Sequence, residues 1–235
     1  MIRINAGETI TFEGQSSPQA YMLMSGWACT VRHLIDGSDQ IFDVRLPGDF
    51  IGTSHLMFKG STLATEAITA VELFPFTYED ILAWESRSPG TYEKFVFAMN
   101  CDEVVMIEHV IGIARRNPQV RTAHFLLELS ERVARAGLGT IDRFSCPMSQ
   151  YVLADTLGLT AVHLNRTLRS LRELGLVSFR HSKVVIHDRP EMIRFAGFDP
   201  AYLNQTPALR LARRRAEKSW EGDDRRGAAT APRQQ

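Results

Sequence analysis

Residues 148–168 read MSQYVLADTLGLTAVHLNRTL, and their pattern is the most informative about the fold of the C-terminal half. Ser149 and Thr160 are residue types that begin helices, because their hydroxyl oxygens accept a hydrogen bond from a free backbone N–H of the first turn. Gly158 stands between the two predicted helices, where glycine adopts a backbone conformation that is costly for other residues. The stretch therefore predicts a helix-turn-helix.

The second predicted helix continues to a stop at Gly175. In a DNA-binding helix-turn-helix, the second helix enters the major groove with its first turns facing the bases. There Arg166 is suited to donate two hydrogen bonds to a guanine, Asn165 to read an adenine, and Val162 to touch a thymine methyl group. We predict base contacts from four residues: His163, Asn165, Arg166 and Val162.

Residues 176–186, LVSFRHSKVVI, predict a two-stranded β-wing with a basic tip. The formal net charge of the chain is zero, but it is −7 over residues 1–117, +3 over 118–191 and +4 over 192–235. Only the basic back half is therefore expected to meet a polyanion. The alternative to a DNA-binding helix-turn-helix is an ordinary helical hairpin whose charged face is in contact with solvent. The predicted phosphate contacts are Ser149, Gln150, Thr160, Arg169, Arg180 and Lys183.

The N-terminal part, from Gly7 to about Phe76, has the pattern of many short strands. Apolar and polar residues alternate there, and turn signals such as Asp36-Gly37-Ser38 separate the alternating runs. This pattern predicts an antiparallel β-roll of the jelly-roll type. A cupin-type metal enzyme is a rival interpretation. It requires clustered ligands such as His-x-His, and the seven histidines contain no such pair.

Residues 89–117 predict one long helix, which Asn117-Pro118 should end or kink because proline disfavours the α conformation in the preceding residue. A second amphipathic helix then runs to about Gly137. The length of the first helix and its apolar residues on more than one side favour pairing with a second copy over packing on its own β-roll. The predicted dimer interface is Phe95, Met99, Met106, Val110 and Ile113.

These motifs, in this order, resemble the Crp/Fnr family of bacterial regulators over roughly residues 5–190. Gly7-Glu8-Thr9-Ile10, Met24-Ser25-Gly26 and Pro47-Gly48-Asp49-Phe50-Ile51-Gly52 look like motifs of its β-roll. Arg166 falls where the family carries its base-reading arginine. The resemblance implies an α+β fold with three parts: residues 1–88, a cyclic-nucleotide-binding-like sensor β-roll; 89–117, a dimerisation helix; and 118–191, a Crp-type winged helix-turn-helix. Residues 192–235 are a C-terminal extension that lies outside the resemblance from about Asn204, and its tail is expected to be disordered.

The chain departs from the members of this family that bind cyclic AMP. Those members follow the turn with a glutamate for the ribose and an Arg-Ser or Arg-Thr for the phosphate. Here Thr53-Ser54-His55 follows Gly52, and no arginine lies between Ser54 and Glu66. A buried phosphate without that arginine is poorly compensated, so cyclic AMP is not expected.

The chain also departs from the members that hold an iron–sulfur cluster on closely spaced N-terminal cysteines. Its first cysteine is Cys29, and with Cys101 and Cys146 it has only three, too few for four thiolate ligands. We expect all three to pack as small apolar side chains. Haem, which other members bind, remains an alternative through the histidines of the sensor half: His33, His55 and His109.

The sequence thus predicts a cytoplasmic DNA-binding transcription regulator controlled through its N-terminal half, without catalytic activity, metal or cofactor. Its expected partners are a pseudo-palindromic DNA duplex, a second copy of the chain and RNA polymerase, with no membrane contact. The rival from another class is a small-molecule or gas sensor that acts through a protein partner. Salt-dependent duplex binding distinguishes the two, because neutralising phosphates releases counterions.

Overall fold

The computed structural model describes residues 1–17, 19–58, 60–61 and 63–203. A β-rich N-terminal half is followed by long helices and a C-terminal helix-turn-helix, so the predicted α+β fold class is confirmed. The C-terminal tail, for which disorder was predicted from about Gly222, lies outside the described residues.

Eight strands form the N-terminal half in two antiparallel sheets, ordered β1-β8-β3-β6 and β2-β7-β4-β5. The strands are β1 (Ile2–Ile4), β2 (Thr9–Thr11), β3 (Gln19–Ser25), β4 (Ala28–His33), β5 (Asp39–Arg45), β6 (Phe50–Ile51), β7 (Ala64–Ala67) and β8 (Val71–Thr77). Gly26 connects β3 to β4 at φ +86°, and a Cβ there would lie 2.2 Å from the carbonyl oxygen of Ala70. Glycine is therefore required at this turn.

Three helices follow the β-roll: α1 (Tyr78–Arg87), α2 (Pro89–Arg115) and α3 (Pro118–Arg135). Helix α1 was not predicted from the sequence; it begins with reciprocal hydrogen bonds between Thr77 and Asp80. The predicted long helix and its end at Asn117-Pro118 are confirmed. The Asn117 side chain caps α3 by accepting a hydrogen bond from Val120 N. None of the described helices is long and apolar enough to cross a membrane.

The C-terminal half contains the predicted helix-turn-helix and its wing. Its elements are β9 (Arg143–Ser145), α4 (Gln150–Thr156), α5 (Ala161–Glu173), β10 (Val177–Arg180), β11 (Lys183–Ile186) and α6 (Arg189–Ala196). The wing has three strands where two were predicted, because β9 pairs antiparallel with β11. A three-residue strand is too short to show a period of two in the sequence.

The two halves of the chain share one apolar core. Buried residues of α3, including Leu126 and Leu129, pack in the same cluster as Leu164 of α5. That cluster continues into the β-roll through Trp27 and Val44. The position of the DNA-binding half is therefore tied to that of the β-roll by buried apolar contacts.

Candidate nucleic-acid interface

Helix α5 buries one face and exposes the other. Leu164, Thr167 and Leu171 are buried among the neighbouring elements. The Thr160 side chain caps the helix by accepting a hydrogen bond from His163 N at 3.2 Å. Because the buried residues recur at helical spacing, the side chains between them are held on the solvent face.

Helix α4 and the turn hold α5 in place. The Ser149 side chain accepts a hydrogen bond from Val152 N at 3.2 Å and begins α4. Gly158 adopts φ +58° in the turn, as the sequence analysis predicted. The small side chain of Ala154, 3% exposed, lies in the core beneath the turn.

All four predicted base-contacting residues, Val162, His163, Asn165 and Arg166, are exposed on α5. Val162 is 65% exposed although it is apolar. Within the described part of the chain, no hydrogen bond or ion pair holds Arg166, so all its N–H donors are available to a ligand. The structure thus places these side chains together on a surface that points away from the core.

An open cleft of about 640 Å³ runs beside this face. One wall is α5, with Val162, His163 and Arg166, and the other is the start of α3. The sequence analysis predicted a helix boundary at Asn117-Pro118 but not its position beside α5. The first N–H groups of a helix favour anions. In α3, Pro118 has no N–H and Val120 N is bonded to the Asn117 side chain, which leaves the N–H of Gln119 for such a contact. The start of α3 is therefore a further candidate contact, and Gln119 fixes it to α5 by donating to Ser170 Oγ at 2.8 Å.

The predicted phosphate contacts fall into two groups. Ser149, Thr160, Arg180 and Lys183 are exposed. Arg180 and Lys183 pair across the end of the wing, where His181 and Ser182 form a two-residue turn with positive φ. In the second group the side chains are engaged: Arg169 Nε donates to Glu173 at 2.8 Å, and Gln150 Oε1 accepts from Asn165 Nδ2 at 2.9 Å.

The predicted dimer helix α2 has an exposed apolar face. Val110 is 58% and Ile113 is 51% exposed, and both were predicted to lie at the interface. Ile107 and Ile111, which were not singled out, are 50% and 38% exposed on the same helix. Met99 and Met106 are half-buried.

Phe95 differs from the other predicted interface residues. Its ring packs edge-on against Phe50 and Phe76 of the β-roll, with centroid separations of 5.0 and 6.0 Å, and against Trp84 of α1. A ring that anchors α2 to its own β-roll has little surface left for a second copy. We therefore leave Phe95 out of the candidate interface.

A cluster of buried charges joins the β-roll to α3; we call its members, Asp43, His109, Glu128 and Arg132, the junction cluster. Arg132 of α3 donates to Asp43 of β5 at 3.2 Å and to the carbonyl oxygen of Val44 at 2.6 Å. It also bonds Asp49, which follows β5, at 3.0 Å. The Arg132 side chain is 9% exposed and that of Glu128 is fully buried. Buried charges of this kind are stable only when they are paired.

His109 links three parts of the structure within this cluster. Its Nε2 lies 3.0 Å from Glu128 Oε1 and its Nδ1 lies 3.3 Å from the carbonyl oxygen of Phe42. Tyr202 donates to the other oxygen of Glu128 at 2.8 Å. Burial alone would lower the pKa of His109, but the Glu128 carboxylate raises it to about 9. Burial likewise opposes ionisation of Glu128, whose pKa the cationic His109 nevertheless holds below its usual value.

A second contact ties α4 directly to β5. The Asp155 carboxylate accepts a hydrogen bond from Ile41 N at 2.6 Å, and Gln40 donates to the Asp155 carbonyl oxygen at 3.1 Å. Val152 packs beside Ile41 against a small buried cluster of the β-roll. Strand β5 therefore contacts the DNA-binding half at both ends.

The described residues of the β-roll offer no free arginine to the phosphate of a cyclic nucleotide. The stretch from Ser54 to Glu66 contains no arginine, and burial lowers the pKa of its His55. Arg45 of β5 is held by Asp43 and Asp102. A nucleotide phosphate would thus lack a free arginine for charge-assisted hydrogen bonds.

Two of the three cysteines are buried, Cys101 is half-buried, and two of the three histidines of the sensor half have hydrogen-bond partners. Cys29 and Cys146 are buried among apolar side chains, as expected, and burial raises the pKa of each thiol to about 12. His33 is bonded to Asp39 at 2.7 Å, and both ring nitrogens of His109 have partners. Among the residues that the structure describes, no three His, Cys, Asp or Glu side chains are grouped to hold a metal ion.

The fold and the exposed α5 define a class: a DNA-binding protein that joins a β-roll to a winged helix-turn-helix. Residues 1–87 match the cyclic nucleotide-binding domain family, and residues 120–195 match the Crp-like helix-turn-helix domain family. With both domains in this order, the chain belongs to the Crp/Fnr family of DNA-binding transcription regulators.

Similar proteins agree with this assignment. The nitrogen fixation regulation protein FixK of Bradyrhizobium diazoefficiens is 27% identical over 80% of this chain and 78% of its own length. FixK of Rhizobium meliloti is 28% identical, with 80% and 82% covered. The structure of FixK2 from Bradyrhizobium japonicum has the same fold, with a TM-score of 0.71 over 83% of this chain and 95% of that one, at 24% identity.

Proposed function

We propose that the protein controls transcription by binding a pseudo-palindromic DNA site as a homodimer. The observation that carries this proposal is the α5 surface, where Arg166, His163 and Val162 are exposed beside an open cleft. Exposed, unpaired donors on the first turns of such a helix are suited to base edges in the major groove. We keep the division into residues 1–88, 89–117, 118–191 and 192–235 as part of the proposal.

The phosphate contacts flank this base-reading surface. The hydroxyls of Ser149 and Thr160 accept hydrogen bonds from the backbone but still have their own hydrogens to donate. Arg180 and Lys183 supply positive charge at the wing. We add the N-terminus of α3 to this set. Contacts of this kind fix the register on the duplex without reading the sequence.

The homodimer is supported by the apolar face of α2. Ile107, Val110 and Ile113 are each at least half exposed, and they lie within two turns of one helix. Large exposed apolar groups at helical spacing are typical of an interface. A second copy related by a twofold axis would cover them and present a second α5 to the next major groove.

Control through the N-terminal half is supported by the two contacts of β5. Arg132 bonds groups at the end of this strand, and Asp155 bonds Ile41 near its start. A ligand or a partner that displaces β5 would therefore change the pose of α4 and α5. We propose β5 as the route by which the β-roll biases DNA binding, and RNA polymerase as the partner at the promoter.

Selection from a random-sequence duplex pool by the purified full chain tests this function. We expect recovery of a site with twofold symmetry, and binding that weakens steeply as the salt concentration rises. The matched variant Val110→Glu places a charge in the proposed interface. It should sediment as a monomer and recover at most single half-sites.

Two results would contradict the proposal. If the selection enriches no sequence and duplex binding does not depend on the salt concentration, the rival interpretation is favoured, in which the protein is a sensor that acts through a protein partner. An unchanged dimer in Val110→Glu would place the interface elsewhere than on α2.

A further inference from the structure

Gln150 and Asn165 form a hydrogen-bonded pair across the helix-turn-helix. Asn165 Nδ2, on α5, donates to Gln150 Oε1, on the first turn of α4, at 2.9 Å. Both residues are exposed, and 15 positions of sequence separate them. This contact differs from the one expected, since the sequence analysis assigned Gln150 to a phosphate.

We propose that Gln150 is a positioning residue. It orients the Asn165 amide so that this side chain reads an adenine at one position of each half-site. The inference rests on the proposed function, because it assumes that α5 enters the major groove. It assigns the specificity at this position to two residues on different helices.

The chemistry of the amide decides which base is read. An asparagine reads adenine when its Oδ1 accepts from N6 and one Nδ2–H donates to N7. Nδ2 carries two hydrogens, and the hydrogen bond to Gln150 occupies one of them. The remaining N–H and the free Oδ1 then form the donor–acceptor pair that adenine requires.

Without Gln150, the amide would lose its preferred orientation. The terminal torsion of asparagine is broad and roughly two-fold, so its oxygen and nitrogen exchange places readily on an exposed surface. An amide that presents either atom accepts several bases. The hydrogen bond to Gln150 Oε1 favours the orientation in which Nδ2 faces α4 before DNA binds.

The backbones that carry the pair are held by the core. Ser149 caps α4 immediately before Gln150, and the buried Leu164 precedes Asn165 on α5. By contrast, Arg169 pairs with Glu173 on its own helix. Because both residues of that pair lie on α5, it does not fix the orientation of a side chain relative to α4.

The test measures base preference, which a purely structural or phosphate-binding role would not change. Full-length protein is titrated with the selected duplex and with three duplexes that replace the base pair facing Asn165. We expect the wild type to prefer adenine by about tenfold to a hundredfold. Gln150→Met keeps the length of the side chain but has no acceptor, and should reduce this preference to about threefold or less.

Two further variants separate the explanations. Gln150→Glu keeps an acceptor, so it should retain the preference while its negative charge weakens binding to all four duplexes. Asn165→Asp has no donor and should shift the preference towards cytosine. Thermal unfolding should be nearly unchanged in every variant, because both residues are exposed.

The proposal is overturned if Gln150→Met weakens binding equally for all four base pairs, which is the result expected of a phosphate contact. It is also overturned if that variant keeps the full adenine preference, or if the wild type prefers another base at this position. If the wild type selects no site at all, the proposed function itself has failed, and this outcome is distinct from the others.

Discussion

The junction cluster and the exposed face of α5 use the same kinds of side chain in opposite surroundings. Arg132 is 9% exposed and touches the carboxylates of Asp43, Asp49 and Glu128, whereas Arg166 is exposed and, within the described part of the chain, unpaired. A buried cation that is fully paired fixes the position of one element against another. An exposed cation with free donors is available to a polyanion. Burial, and not residue type, thus separates the structural charges from those proposed to bind DNA.

The largest effect should come from removing the cation of the junction cluster. Arg132→Met removes one of the two guanidinium groups that face the buried Asp43 and leaves Glu128 with His109 as its cationic partner. This loss of buried pairing should lower the free energy of unfolding by about 3–5 kcal/mol. Urea-induced unfolding measures this change. The matched control is Arg194→Met, which removes an exposed pair with Glu191 and should cost no more than about 1 kcal/mol. Similar small losses in both variants would contradict the role given to the cluster.

The next effect is a pH dependence of stability through His109. Its pKa is raised to about 9 in the folded chain, so protonated His109 stabilises the fold fully below its unfolded pKa of about 6.5. This stabilisation, at most roughly 3 kcal/mol, is lost as the pH rises from 6.5 through 9. Glu128, Asp43 and Arg132 are the charged groups that face the ring.

Unfolding measurements across this pH range, with His109→Gln as the variant, test that dependence. At pH 6 the variant should have a lower free energy of unfolding than the wild type. Between pH 6.5 and 9 its free energy of unfolding should fall by less than that of the wild type. The same substitution at the exposed His181 serves as the control and should retain the wild-type slope. A wild-type profile that rises over this range would contradict the account.

The third effect concerns α5 and leaves stability unchanged. Arg166→Ala should weaken binding to the selected site by about 1–3 kcal/mol and relax the preference at one base pair in each half-site. Arg172→Ala removes an exposed arginine from the last turn of the same helix and should have little effect on preference. An equal loss on all sequences would make Arg166 a phosphate contact.

The smallest effect is expected at the wing. Lys183→Ala should weaken binding by a similar factor on every sequence, because a phosphate contact carries no base information. The slope of log affinity against log salt should become shallower by about 0.9, the contribution of one phosphate. A change in base preference without a change in slope would contradict the assignment.

Sequence patterns predicted several features that depend on neighbours along the chain, although the locally capped helix α1 was missed. The caps at Ser149 and Thr160 and the turn at Gly158 are local, and the structure confirms all three. The three-residue strand β9 was missed because it is defined by its pairing with β11.

The junction cluster was also missed, and for a different reason. Arg132 and Asp43 are 89 positions apart, so nothing local signals their contact. Likewise, Gln150 and Asn165 were each singled out as DNA contacts, but their hydrogen bond depends on how α4 and α5 pack. Side-chain pairs between elements require the tertiary structure, because no period or cap encodes them.

In the proposed complex, two copies of α5 read successive major grooves on one face of DNA. Equilibrium binding to duplexes in which the two selected half-sites are moved apart tests it most directly. An insertion of about five base pairs turns one half-site to the opposite face. We predict that affinity then falls to that of a duplex with a single half-site. Affinity that is independent of the spacing would show that each copy binds alone, and would contradict the claim.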